Sequence, residues 1–115
     1  MVIRSFEEII AWQKAKDLSL LVYNQLRSCR DFSFRDQLQR AAISAMNNIA
    51  EGYERNGNKE FRNFLYIAKG SCAEVRSMLY IALELNYISS QEFKKTNEVT
   101  LDVSKLLSGL IKTLK

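Results

Sequence analysis

Proline is absent from the chain, and glycine occurs only four times in 115 residues. Proline kinks or ends a helix and glycine weakens one, so these residues usually mark the places where the backbone changes direction. Only helices commonly fill a chain of this length without such breakers. We therefore expect an all-α fold.

The length and composition are those of a globular protein. A chain of 115 residues suits one domain, here residues 1–115, and it is 47% hydrophobic and 26% charged, unlike a disordered segment. No apolar run approaches the ~20 residues of a membrane span. Residues 1–5 are too short and polar for a signal peptide. We expect a cytoplasmic protein with no membrane contact.

The residue types argue against catalysis. Histidine is absent, which removes the commonest general base and metal ligand. Cys29 and Cys72 have no metal-binding spacing and are expected to be reduced thiols, with Cys72 in the core. We therefore expect no catalytic residue, metal or cofactor, and no enzyme. The net charge of +4 indicates an anionic partner only weakly.

Apolar periodicity and helix-start signals divide the chain into four helices. Capping pairs are recognised at Ser5–Glu8, Ser33–Asp36 and Ser89–Glu92, and Asn58 is expected to cap the remaining helix. The predicted helices span about 6–28, from Ser33 to about 54, about 58–86 and about 90–113.

The second and third helices are predicted to pair along apolar seams. One seam steps by three and four through Phe34, Leu38, Ala41, Ala45, Asn48 and Gly52, and the other runs in the same way from Phe61 to Leu79. Folding the chain antiparallel at the Asn56–Gly57 turn pairs positions whose numbers sum to 113, which places every seam residue opposite a seam residue. This agreement predicts a helical hairpin that is closely packed at its small central residues.

The third helix carries more apolar surface than one seam requires. A second stripe consists of Phe64, Ile67, Met78, Ile81 and Leu85, and beyond it lie Tyr66, Tyr80 and Leu83. A helix that is apolar nearly all round must be covered on nearly all sides. Either its neighbours in the bundle cover this stripe, or it forms a subunit interface.

A polar network is expected beside the seam. Arg40 is predicted to form an ion pair with Glu74 or Glu51, and Asn48 is predicted to hydrogen-bond across the seam, as polar groups that fix helix register do. The alternative is that these residues contact a ligand or partner.

Four segments identify a resemblance: "FEEIIAWQKA", "QRAAISAMNNIAEG", "KEFRNFLYIAKGSCAEV" and "ALELNYIS". In order and spacing they resemble the four-helix bundle proteins of the 23S ribosomal RNA intervening-sequence family. The resemblance implies an antiparallel up-down bundle that assembles as a homopentamer. It also implies kinship with the accessory variability proteins of diversity-generating retroelements, which are thought to bind nucleic acid and a reverse transcriptase. The positions that match the family's motif are Arg40, Asn48, Glu51, Gly52, Gly70, Ser71 and Glu74.

Two functions remain open. The first is association with RNA or DNA through a basic face, because residues 55–76 hold five basic side chains against two acidic ones. The ordinary alternative is that these are solvated surface charges. The candidate nucleic-acid-binding residues are Arg55, Lys59, Arg62, Lys69 and Arg76.

The second function is a protein-interaction scaffold or accessory subunit, for example of a reverse transcriptase. In this hypothesis an oligomer presents aromatic residues to a protein partner, with Trp12 and Tyr53 as candidates. Either residue could equally belong to the core.

Overall fold

The computed structural model describes residues 2–114, and all their regular structure is helical. A 3₁₀ turn at Phe6–Glu8 precedes four α-helices. These are α1 (Ile10–Gln25), α2 (Phe32–Glu54), α3 (Asn58–Glu84) and α4 (Ser90–Thr113). The prediction of an all-α chain with four helices is confirmed.

The start of the first helix differs from the prediction. The Ser5 side chain makes no capping bond, and Glu8 instead accepts a hydrogen bond from the Arg4 backbone N–H at 3.0 Å. Ile9 is extended, with φ −76° and ψ 120°, so the chain breaks between the 3₁₀ turn and α1. The predicted Ser5–Glu8 capping box is therefore wrong, because Glu8 is bonded to a different backbone N–H.

Two further caps are displaced by one or two residues. Asp31, not Ser33, caps α2, and its carboxylate accepts from the Phe34 N–H at 3.2 Å. Gly57 takes the cap position of α3 with φ 116°, a conformation that suits glycine, so Asn58 is the first helical residue rather than the cap.

The capping box of α4 forms as predicted. The Ser89 hydroxyl accepts from the Glu92 N–H at 3.1 Å, and the Glu92 carboxylate accepts from the Ser89 N–H at 2.9 Å. The preceding helix ends two residues earlier than predicted, and Asn86 then adopts φ 60°. Asparagine tolerates this left-handed conformation better than most residues do. It lets the chain reverse direction without glycine.

The four helices pack as a bundle with outer dimensions of 43 × 22 × 19 Å. Helix α2 lies between α1 and α3, and α4 contacts the other sides of the same two helices. Helices α1 and α3 are therefore diagonal to each other, as are α2 and α4. The core residues of all four helices are almost completely buried, so every helix contributes one apolar side to the interior.

Contacts between α2 and α3 agree with the predicted register. A Cβ atom added to Gly52 would lie 3.1 Å from the Phe61 ring, the predicted opposite residue. In the middle of the pair, Ala45 and Ala68 are fully buried and Cys72 is 1% exposed. The small residues allow the two helices to approach closely at this level.

Candidate functional site

The predicted ion pairs of Arg40 do not form. Among residues 2–114, the ion pairs are Arg35–Asp36 and Arg55–Glu51. Glu51 lies eleven residues from Arg40, or ~16 Å along the axis of α2, whereas Arg55 is only four residues away. Arg40 and Glu74 are both exposed, so packing does not hold them together.

The polar link between α2 and α3 is made by two serines. The Asn48 amide donates to the Ser44 backbone carbonyl at 2.8 Å and to the Ser44 hydroxyl at 3.0 Å. The Ser71 hydroxyl lies 2.9 Å from the Ser44 hydroxyl. The prediction that Asn48 itself bonds across the seam is therefore wrong, because its partners lie in its own helix. Asn48 orients Ser44, and Ser44 contacts the other helix.

Three of the predicted nucleic-acid-binding residues follow the edge where α3 meets α4. The Arg62 guanidinium donates to the Leu114 carbonyl at 2.6 Å, and the Lys69 amine to the Ser108 hydroxyl at 2.7 Å. Arg76 is 3.4 Å from the Asn97 side-chain oxygen. We call Arg62, Lys69 and Arg76 the basic edge.

The other two predicted residues lie elsewhere. Arg55 hydrogen-bonds with the Glu51 carboxylate at 2.9 Å, which raises the pKa of Arg55, and its guanidinium stacks over the Phe64 ring. Phe64 is on the α2 side of α3, away from the basic edge. Lys59 is exposed in the first turn of α3. The five residues therefore do not form one continuous cluster within a single chain.

The second apolar stripe of α3 is largely uncovered. Ile67, Ile81 and Leu85 are 53%, 50% and 52% exposed, and Phe64 and Met78 are half-buried. We call these five residues the apolar stripe. The neighbouring helices of the same chain therefore do not cover the apolar stripe. Of the two predicted alternatives, a subunit interface remains.

A second apolar surface lies on the opposite side of the bundle. The start of α1 and the end of α4 form an open groove of about 620 Å³. Ile10, Leu106 and Leu110 line it, with Glu8 and Lys105 among its few polar residues. This lining can bury an apolar side chain, but it brings together no set of groups typical of catalysis.

The aromatic residues proposed to contact a protein partner are engaged within the chain. Trp12 packs edge-to-face on Phe6, with ring centroids 5.1 Å apart. The Tyr53 hydroxyl donates to the Ile3 carbonyl at 2.7 Å, and its ring packs on Phe61. Both side chains are half-buried and fasten the residues before α1 to the bundle.

The remaining chemistry is that of a packed interior. Burial raises the pKa of the Cys72 thiol from 9.0 to about 11, and both cysteines are free. Within residues 2–114, no three His, Cys, Asp or Glu side chains are grouped so that they could hold a metal ion. None of the helices between residues 2 and 114 combines the length and the hydropathy of a membrane-spanning segment.

Residues 7–109 match the family model of the 23S rRNA-intervening sequence protein. The chain belongs to this family. This family member also resembles the crystal structure of a protein of unknown function from the S23 ribosomal protein family of Bacteroides thetaiotaomicron, with a TM-score of 0.82. The two are 21% identical, over 90% of this chain and 96% of the other, so the likeness shows a shared fold. No curated protein matches the chain.

The family member exposes two aromatic residues that the sequence assigned to the apolar surface of the third helix and not to the basic face. Tyr66 and Tyr80 on α3 are 57% and 53% exposed. Both are close in sequence to a residue of the basic edge, since Tyr66 is three before Lys69 and Tyr80 is four after Arg76. This three-and-four spacing was a signal that could have linked the two tyrosines to the basic residues from the sequence.

Proposed function

We propose that this protein is a non-enzymatic, cytoplasmic, homo-oligomeric bundle of antiparallel up-down helices that associates with RNA or DNA through basic residues. The supporting observation is that, within residues 2–114, only one of five candidate side chains has a carboxylate in ion-pair contact. The other four keep their positive charge available to phosphates. The candidate residues are Arg55, Lys59, Arg62, Lys69 and Arg76.

Contacts between neighbouring helices support the antiparallel arrangement. The Ser44–Ser71 contact and the packing of Gly52 on Phe61 occur in opposite order along α2 and α3. The hydrogen bonds of the basic edge show the same opposite order. From Arg62 to Arg76, residue numbers rise along α3, while those of the bonded residues fall from Leu114 through Ser108 to Asn97. Adjacent helices with these contacts run in opposite directions.

The two apolar surfaces support assembly. A ring requires two different surfaces that complement each other, since each subunit contacts its two neighbours through different sides. The apolar stripe and the groove between α1 and α4 are two different apolar surfaces on opposite sides of the bundle, as such a ring would use. The family resemblance favours five subunits.

Assembly would strengthen a weak electrostatic interaction. Each phosphate contact releases counterions, so affinity rises with the number of basic residues that meet the backbone of the nucleic acid. One chain offers few such residues, whereas a pentamer repeats each of them five times. The name of the family, which refers to an insertion in ribosomal RNA, is consistent with an RNA partner.

A gel-shift titration at low salt tests the proposal. We expect the parent protein to shift RNA and DNA with little sequence preference, and to lose affinity steeply between roughly 50 and 200 mM salt. The variant R55E/K59E/R62E should lose the shift while circular dichroism shows an intact helical fold.

The control variant K14E/K16E/R27E has the same change in charge on or just beyond α1, the helix diagonal to α3. It should retain most of the shift. Absence of a shift by the parent, or equal loss in both variants, would contradict the proposal.

An accessory role toward a protein, for example a reverse transcriptase, is our alternative. The exposed apolar stripe favours it, since such a surface can bind another protein as well as a second copy. A parent protein that is monomeric and does not bind nucleic acid would favour this alternative.

A further inference from the structure

The basic edge holds its charges at regular positions. Arg62, Lys69 and Arg76 are seven residues apart, so successive positions are ~10 Å apart along α3. Each is hydrogen-bonded to a neutral oxygen on the α4 side: a backbone carbonyl, a hydroxyl and a side-chain amide. These bonds position the side chains without neutralising their charge.

Two exposed tyrosines lie within three or four residues of these charges along α3. Tyr66 lies between Arg62 and Lys69 in sequence, and Tyr80 follows Arg76 by four residues. The Tyr80 ring packs edge-to-face on Phe93 of α4, with centroids 5.1 Å apart and an interplanar angle of 61°. Phe93 therefore supports Tyr80 from the α4 side, while about half of Tyr80 stays exposed to solvent.

The edge and the apolar stripe face opposite ways. Arg76 is nine residues from both Ile67 and Leu85, which is two and a half helical turns and therefore half a rotation about α3. A second copy bound to the stripe would leave the basic edge open. Assembly and the binding of a polyanion can thus use the same helix at the same time.

We propose that this edge binds single-stranded nucleic acid, with phosphates at Arg62, Lys69 and Arg76 and unpaired bases stacked on Tyr66 and Tyr80. Positive charge along a groove combined with aromatic stacking is the usual way in which proteins bind single strands, whose base faces are free. A duplex keeps its base faces stacked inside and can use only the charges. The inference rests on the proposed nucleic-acid binding and specifies the class of ligand.

The test is fluorescence anisotropy at 50 mM salt with a labelled 12-nucleotide oligouridine and a labelled 12-base-pair RNA duplex. The parent should bind the single strand more tightly than the duplex. Tyr66→Leu and Tyr80→Leu should each weaken single-strand binding about five-fold or more and leave duplex binding unchanged. Tyr66→Phe, which keeps the ring, should bind like the parent. The variant K69Q/R76Q should weaken binding to both ligands.

The control is Tyr23→Leu, which removes an exposed tyrosine from α1 and should change neither affinity. Tyr80→Leu also removes the packing of Tyr80 on Phe93, which can affect folding. Tyr66 packs on no aromatic ring among residues 2–114, so Tyr66→Leu tests base stacking alone. Equal binding of both ligands by the parent, or unchanged single-strand affinity of Tyr66→Leu, would overturn this inference and leave the proposed function standing. If the parent binds neither the single strand nor the duplex, both this inference and the proposed function are overturned.

Discussion

At the scale of single residues, Asp31 connects two distant parts of the bundle. One carboxylate oxygen accepts from the Phe34 N–H and caps α2, and the other accepts from the Tyr87 hydroxyl at 2.7 Å. This hydrogen bond raises the pKa of Tyr87, because it favours the protonated phenol. The Tyr87 ring also packs on Phe34, with centroids 5.4 Å apart. Asp31 therefore fixes the start of α2 against the turn between α3 and α4.

Replacement of Asp31 by alanine should lower the free energy of unfolding by about 1–2 kcal/mol, since the α2 cap and the bond from Tyr87 are both lost. Urea unfolding followed by circular dichroism measures this. Asp17→Ala, at an exposed position within α1, is the matched control and should change stability by under ~0.5 kcal/mol. Equal stability of the two variants would contradict the assigned role. Tyr87→Phe should account for part of the Asp31→Ala effect in a double-mutant cycle.

The sequence predicted this region only in part. The Ser33–Asp36 pattern located a helix start to within two residues, but Asp31, which precedes the pattern, makes the cap. Capping depends on the direction in which the backbone leaves the preceding loop, and a local pattern does not contain that direction. Tyr87 is 56 residues away in sequence, so its contact with Asp31 arises from the tertiary fold.

At the scale of elements, Gly52 sets the distance between α2 and α3 near their connecting turn. A Cβ atom at this position would lie 2.5 Å from the Cβ of Phe64 and 3.1 Å from the Phe61 ring. The Phe64 Cβ is fixed to the backbone of α3, so rotation of the ring cannot relieve the contact. The two helices would have to separate.

Gly52→Ala should therefore destabilise the protein by about 1–3 kcal/mol, the usual range for an overpacked contact. Gly70→Ala is the matched control, because Gly70 is also inside a helix but has nothing within 4 Å of an added Cβ. Gly70→Ala should stabilise by roughly 0.5–1 kcal/mol through helix propensity. Thermal unfolding measures both effects: the melting temperature should fall for Gly52→Ala and rise for Gly70→Ala. A change in the same direction for the two variants would show that the α2–α3 contact is assigned wrongly.

Seam spacing predicted the pairing of α2 and α3 because both helices follow a regular three-four repeat over most of their length. It placed Gly52 opposite Phe61, which the structure confirms, but not the closer approach of Phe64. A one-dimensional register assigns one partner per residue, whereas a small residue between two helices contacts side chains on successive turns. Periodicity likewise did not reveal the break at Ile9, since the apolar repeat continues through it.

At the scale of the whole molecule, the repeat on α3 exceeds what one chain can bury. The sequence identified this additional apolar surface, but whether the neighbouring helices cover it depends on how the four helices pack. The structure places α2 and α4 on two sides of α3 and leaves the apolar stripe exposed. The partner that would cover it lies outside a single chain, so sequence periodicity could not identify it.

Multi-angle light scattering at micromolar concentration tests assembly through this stripe. We expect the parent to have a mass near five times the 13.3 kDa of one chain. The variant I67E/I81E should dissociate toward one chain, because a buried interface does not tolerate two unpaired carboxylates. Leu20→Glu, an equally exposed apolar position on α1, is the control and should remain assembled. A parent mass of one chain, or an unchanged mass for I67E/I81E, would refute assembly through the stripe.

The dissociated variant also tests whether binding depends on the ring. I67E/I81E retains all five candidate basic residues on each chain, and Ile67 faces away from Arg76. If affinity comes from repeated phosphate contacts, the variant should lose most of its binding at 50 mM salt, and its salt dependence should become shallower because fewer counterions are released per complex. The two added carboxylates also repel the nucleic acid, so a variant with the same charge change on α1, L20E/K16Q, serves as the comparison. This comparison variant should stay assembled, so its affinity should still fall steeply as salt rises. If the salt dependence becomes equally shallow in both variants, net charge rather than assembly controls binding.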